Sequence, residues 1–135
     1  MRKLLFILSI LSLSGCGKKE IKDVEAFLAK KQNFSSFALD SINTSKWDSV
    51  YVMNPYQYAI IEKRVPHLSH SLKRKLKKIG LSDDYCALIF VRKQQVVNYS
   101  IVNRDIADFS SLDGKIGYSS KQRYRIVAYR KVCPI

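Results

Sequence analysis

Tyr85-Cys86-Ala87-Leu88-Ile89-Phe90-Val91-Arg92 is an apolar run closed by a charge, the pattern of a central strand covered on both faces. Lys93-Gln94 leaves room only for a tight connection, and Gln95 to Val102 then reads as the second arm of a hairpin. Upstream, Ile61, Val65, Leu68, Leu72, Leu76 and Ile79 recur at helical steps, with Gly80 as the stop. Pro66 lies inside that stripe, so a kink or two abutting helices are expected there. Before it, Asn54-Pro55 reads as a helix start. Trp47 to Met53 reads as a strand, with Val50 and Val52 on one face and Tyr51 and Met53 on the other.

Working outward, Phe37 to Ile42 reads as a further strand, separated from the next by the polar turn 43–46. An N-terminal helix carries Ile21, Val24, Phe27 and Leu28 on one face and ends near Asn33 and Ser35-Ser36. Downstream, Arg104 to Leu112 is irregular, Asp113-Gly114 is a turn, and Lys115–Ser119 with Arg123–Val132 reads as a last hairpin. The expected fold class is α+β. An antiparallel sheet of about five or six strands is covered by the N-terminal helix and the long, kinked central helical segment. Residues 20–135 form one domain on this reading.

Composition narrows the classes. Of 135 residues, 24 are Lys or Arg and 11 Asp or Glu, a net +13. Apolar residues at 47%, with only five Gly and three Pro, exclude a disordered or collagen-like chain. No apolar run reaches the roughly 18–20 residues of a membrane span. Three Cys are too few for a disulfide miniprotein or a Cys₄ zinc site.

Arg2 and Lys3 precede a short apolar stretch, Leu4 to Leu13, the order of a secretory signal. Leu13-Ser14-Gly15-Cys16 then resembles the lipobox of bacterial lipoproteins. That resemblance implies a signal peptide at 1–15, cleavage before Cys16 and a covalent lipid (palmitate among its acyl chains) on Cys16. No other cofactor is expected. An ordinary secretory signal with a chance Cys is the plainer alternative. Removing Arg2 and Lys3 leaves 22 basic and 11 acidic residues, a net +11. Residues 16–19 form a short tether. Because Gly17 rather than Asp follows Cys16, the resemblance implies an outer-membrane, periplasm-facing location in a diderm host.

Trp47-Asp48-Ser49-Val50-Tyr51-Val52-Met53-Asn54-Pro55-Tyr56 is similar to a W-D-x-V-x-V-x-x-P-Y segment of small bacterial lipoproteins. The likeness extends loosely through Ile89-Phe90-Val91 and Asp108-Phe109, and implies a shared fold rather than a function. Asp48 is suited to bonding backbone at the strand's start. Trp47 and Tyr56 are suited either to anchoring strand to helix or to forming a partner-facing patch, since both types are enriched at hot spots.

Charge concentrates in Lys73-Arg74-Lys75-Leu76-Lys77-Lys78, on the polar side of the helical stripe. A basic amphipathic helix beside a lipid tether points to anionic headgroups or an acidic envelope partner. A merely solvated face is the alternative. Nucleic acid is not the expected partner of an exported chain. Cys86 and Cys133 are an even pair for an oxidising compartment and are candidates for a disulfide. His67 and His70 lack further ligands at helical spacing, so no metal is expected. Asp105, Asp108 and Asp113 read as loop caps, with acid–base chemistry as the sharper option. No phosphate-binding Gly loop or nucleophile motif occurs, so an enzyme is not expected. The leading reading is a lipid-anchored envelope protein that works by binding. The second is a periplasmic inhibitor or immunity protein against a toxin or wall hydrolase, presenting residues 43–46 or 103–114.

Overall fold

The computed structural model describes residues 19–42 and 45–135. The signal segment 1–15, Cys16 and residues 43–44 lie outside them.

The central hairpin forms as its sequence dictates. Strands β4 (Tyr85–Arg92) and β5 (Gln95–Asn103) pair antiparallel. The two-residue turn puts both Lys93 (φ 47°) and Gln94 (φ 64°) in the left-handed region, the geometry that matches the twist of paired strands. Asp48 helps to hold it: its Oδ2 accepts from the Lys93 N–H at 2.8 Å. Strand β3 (Ser49–Met53) pairs antiparallel with β4.

Period-two alternation divides the core between the two faces of this sheet. Val50, Val52, Cys86, Leu88 and Phe90 point to one side. Met53, Ala87, Ile89 and Val91 point to the other. The second side is covered by α2 (Tyr58–Arg64) and α3 (His70–Ile79), through Ile61, Val65, Leu68, Leu72 and Leu76. The central segment is therefore two abutting helices, one of the two outcomes expected at Pro66. Val65 before Pro66 is extended (ψ 116°), as a residue preceding proline favours. Helix α2 also begins later than Asn54-Pro55. Residues 54–57 form a turn in which the Gln57 N–H donates to Asn54 O, while the Asn54 side chain crosses to Leu112 O at 3.1 Å.

The first side is covered by α1 (Asp23–Ala29) and by a second, three-stranded sheet. Here the structure departs from expectation. Phe37–Ile42 is not one strand: β2 is only Ser36–Ala38, and Leu39–Ser41 turns into a 3₁₀ helix. The last hairpin does not form either. Strand β6 (Tyr118–Ser119) joins β3 in the first sheet. Strand β7 (Arg123–Ile126) pairs instead with β2 and with β8 (Val132–Pro134). Lys19, expected to precede the domain, already belongs to β1 (Lys19–Glu20), which pairs parallel with β5 in a sheet expected to be antiparallel. The protein is thus α+β, in three layers: two helices, a sheet of order β1-β5-β4-β3-β6, and a layer of α1 with the sheet β2-β7-β8.

Candidate functional site

Helix α3 builds the densest exposed charge. Ser69 caps it, its Oγ accepting from the Leu72 N–H at 3.3 Å. Leu72 and Leu76 are buried, and the 3.6-residue period then turns Lys73, Arg74, Lys75, Lys77 and Lys78 outward. Lys77 and Lys78 occupy the last turn, where the helix dipole favours cations.

The five cations are not equivalent. Lys73 Nζ lies 3.6 Å from Glu62 on α2. Lys75 Nζ donates to Glu20 Oε2 at 2.6 Å and to Tyr99 Oη at 3.2 Å, and lies 5.2 Å from the centre of the Tyr99 ring. The Glu20 carboxylate, followed by Tyr99, outweighs partial burial and raises the Lys75 pKa. Arg74, Lys77 and Lys78 are exposed and make no ion pair among the described residues. A cleft of about 350 Å³ between α2 and α3 is lined by Tyr58, Glu62, His70, Lys73, Arg74 and Lys77. Burial, then the neighbouring Glu62, raise the Tyr58 phenol.

Glu20 places this face. It stands four positions after Cys16, a separation the chain can span over at most about 14 Å. The Lys75–Glu20 bridge therefore ties the basic helix to β1, four positions after Cys16.

The other sequence candidates resolve differently. Trp47 is buried, edge-on to Phe90 at 4.9 Å between ring centres. It is core, not partner surface. Tyr56, by contrast, is exposed, and lies past the opposite end of β3. A joint Trp47–Tyr56 patch does not exist. The disulfide is also not made: Cys86 and Cys133 are free thiols. Alternation in β8 turns Val132 into the core that holds Cys86, and so turns Cys133 outward, 3.6 Å from Ser111 Oγ. Burial pushes the Cys86 thiol up to about 12.

His67 and His70 do not share a helix. His67 sits in the turn after Pro66 with φ 54°, and His70 opens α3. Two of the three Asp side chains serve their loops, and Asp105 is exposed. Asp108 takes a two-pronged bond from Arg104 (3.1 and 3.2 Å) and one from the Ser110 N–H. Asp113 accepts from the Lys115 N–H at 2.9 Å. Arg104 also donates to Asp83 O at 2.8 Å, which ties the start of segment 103–114 to the loop before β4. Among the described residues, no group of three His, Cys, Asp or Glu side chains is placed to hold a metal ion.

One structural residue was silent in the sequence. The Arg130 guanidinium donates to three backbone carbonyls, Ile106 O at 2.7 Å, Lys31 O at 2.5 Å and Leu28 O at 2.7 Å. It closes the C-terminal end of α1 and fixes the β7–β8 turn against it. No family model, curated protein or solved structure matches the chain.

Proposed function

We propose that the chain is a lipid-anchored envelope protein that works by binding, with the α3 face turned to anionic headgroups of the membrane that holds it. The observation that carries this is the Lys75–Glu20 bridge. It ties a helix with three cations that are unpaired among the described residues to Glu20, four positions after Cys16. Each Lys or Arg near an anionic surface adds about 1 kcal/mol, so Arg74, Lys77 and Lys78 together supply about 3 kcal/mol, more than a hundredfold in affinity. The interaction weakens steeply beyond a Debye length of about 8 Å at physiological salt. A tether of this length keeps the face near that range. Acylation at Cys16 and location at the outer membrane in a diderm host belong to the same proposal.

The test is flotation of the soluble domain, 17–135, with vesicles of anionic or zwitterionic phospholipid. The parent should float with anionic vesicles at low salt and lose them at high salt. Arg74→Gln, Lys77→Gln and Lys78→Gln together should cut binding about a hundredfold, and Lys73→Gln, whose cation already faces Glu62, much less. Equal binding by parent and triple variant would overturn the reading.

A further inference from the structure

Two aromatic rings stand out beyond the C-terminal end of α1. Tyr129 is 91% exposed and Phe34 69%. Both sit on left-handed backbone, at φ 58° and 68°, and Arg130 follows Tyr129 at φ 59°. Residues with a Cβ are disfavoured there, bulky ones especially. Neither ring has a short polar side chain with which to compensate locally.

The fold imposes these conformations from outside. Arg130 binds Leu28 O and Lys31 O, and so fastens the β7–β8 turn to the end of α1. The Phe34 N–H donates to Ile126 O, and the Ile126 N–H donates to Ser35 O. Loop 30–35 and turn 127–131 are thereby bound to the same strand end. Strained backbone that presents rigid, solvent-exposed aromatics marks a surface shaped for contact.

The charge around the rings is one-sided. Residues 30–36 and 125–131, on either side of the two rings, contain Lys30, Lys31, Arg125, Arg130 and Lys131, and no acid. The nearby carboxylates belong to the loop containing Ile106: Asp108 is paired with Arg104, and Asp105 is exposed. The position is also defined. Lys19 and Glu20 pair with Asn98 and Tyr99, α1 then follows β5 until Glu25 accepts from the Asn103 N–H, and the helix ends at Arg130. The tip is thus separated from β1 by the whole of α1, about 10 Å of helix.

We infer that Tyr129 and Phe34 form a docking tip for an acidic protein surface with an apolar recess. The bordering cations give the orientation and the two rings fill the recess. The direction of the tip, away from the lipid, rests on the proposed function; the tip itself does not.

The test replaces Tyr129 with a photoreactive benzoylphenylalanine in the full-length chain, expressed in its native envelope. A protein adduct is expected that is lost with Phe34→Ala and with Lys31→Glu plus Lys131→Glu. In titration of that purified protein, Tyr129→Ala and Phe34→Ala should weaken binding at least tenfold. Arg74→Gln, Lys77→Gln and Lys78→Gln should leave it unchanged. Tyr129→Gly should also lose the partner while melting no lower than the parent, which separates lost contact from lost fold. Adducts only with lipid, only with a second copy of the chain, or with nothing would overturn the inference, as would undiminished affinity in Tyr129→Ala. Failure of the anchoring reading would appear separately, in the vesicle assay, with the protein adduct intact.

Discussion

Arg130→Ala should be among the most damaging single changes outside the apolar core. The half-buried guanidinium makes three bonds, each to a carbonyl that ends or follows an element: Leu28 O and Lys31 O at the end of α1, and Ile106 O after β5. A hydrogen bond with a charged donor contributes about 1.5–3 kcal/mol. The three share one side chain, and water can reach part of the space left behind, so the losses do not add fully. A destabilisation of about 2–4 kcal/mol is expected, a fall of roughly 10 °C in Tm for a domain of this size. Arg130→Lys keeps the charge but gathers its donors on one nitrogen that cannot span three carbonyls, and should recover no more than about half of the loss. Urea denaturation of the soluble domain, followed by circular dichroism, measures both. A loss below about 1 kcal/mol for Arg130→Ala, or full rescue by Lys, would refute the idea that the fork geometry fastens α1 to the β7–β8 turn.

Gln94→Gly should stabilise the domain by about 0.5–1 kcal/mol, because glycine tolerates φ 64° without a Cβ clash; a lowered Tm would contradict that turn geometry. In the native protein only Cys133 should react with a maleimide, and Cys86, buried and raised to about 12, should react only after unfolding. A Cys86–Cys133 peptide in a non-reducing digest would reverse that correction. Burial opposes ionisation of Asp108, but Arg104 and Ser110 outweigh it and hold the carboxyl below its ordinary value. The stability this gives is present above about pH 4, the unfolded range, and is lost as pH falls through the lower folded value. Asp108→Asn should therefore be less stable than the parent at pH 7, with the gap closing as the solution is acidified below pH 4.

What the sequence made legible depended on repetition. The β4–β5 hairpin, the two faces of β3 and the break at Pro66 each rest on several residues in a fixed period. Strands β1 and β6, two residues each, and β2, three, have no period to read. Their partners are chosen by distant pairing, which is why β7 left β6 for β2 and β8. The basic run on α3 was visible as composition. Its link to β1 was not, because the Lys75–Glu20 bridge joins residues 55 positions apart through a parallel strand pair. Trp47 and Tyr56 looked alike in the sequence, yet one fills the core and the other is open to solvent. Tyr129 and Phe34 owe their backbone angles to Arg130 and Ile126, a tertiary cause that local spacing does not carry.

The most direct test concerns which side of the domain faces the bilayer. The protein acylated at Cys16 as proposed, with Cys133→Ser so that no reactive native thiol remains beside the buried Cys86, would be placed in vesicles that carry a headgroup-linked quencher. A fluorophore is attached at an introduced cysteine, at position 78 in one sample and 129 in the other. Strong quenching at 78, relieved by high salt, with little quenching at 129, is the expected result. Equal quenching at both positions, or the reverse order, would contradict a basic helix that faces the membrane and an aromatic tip that points away from it.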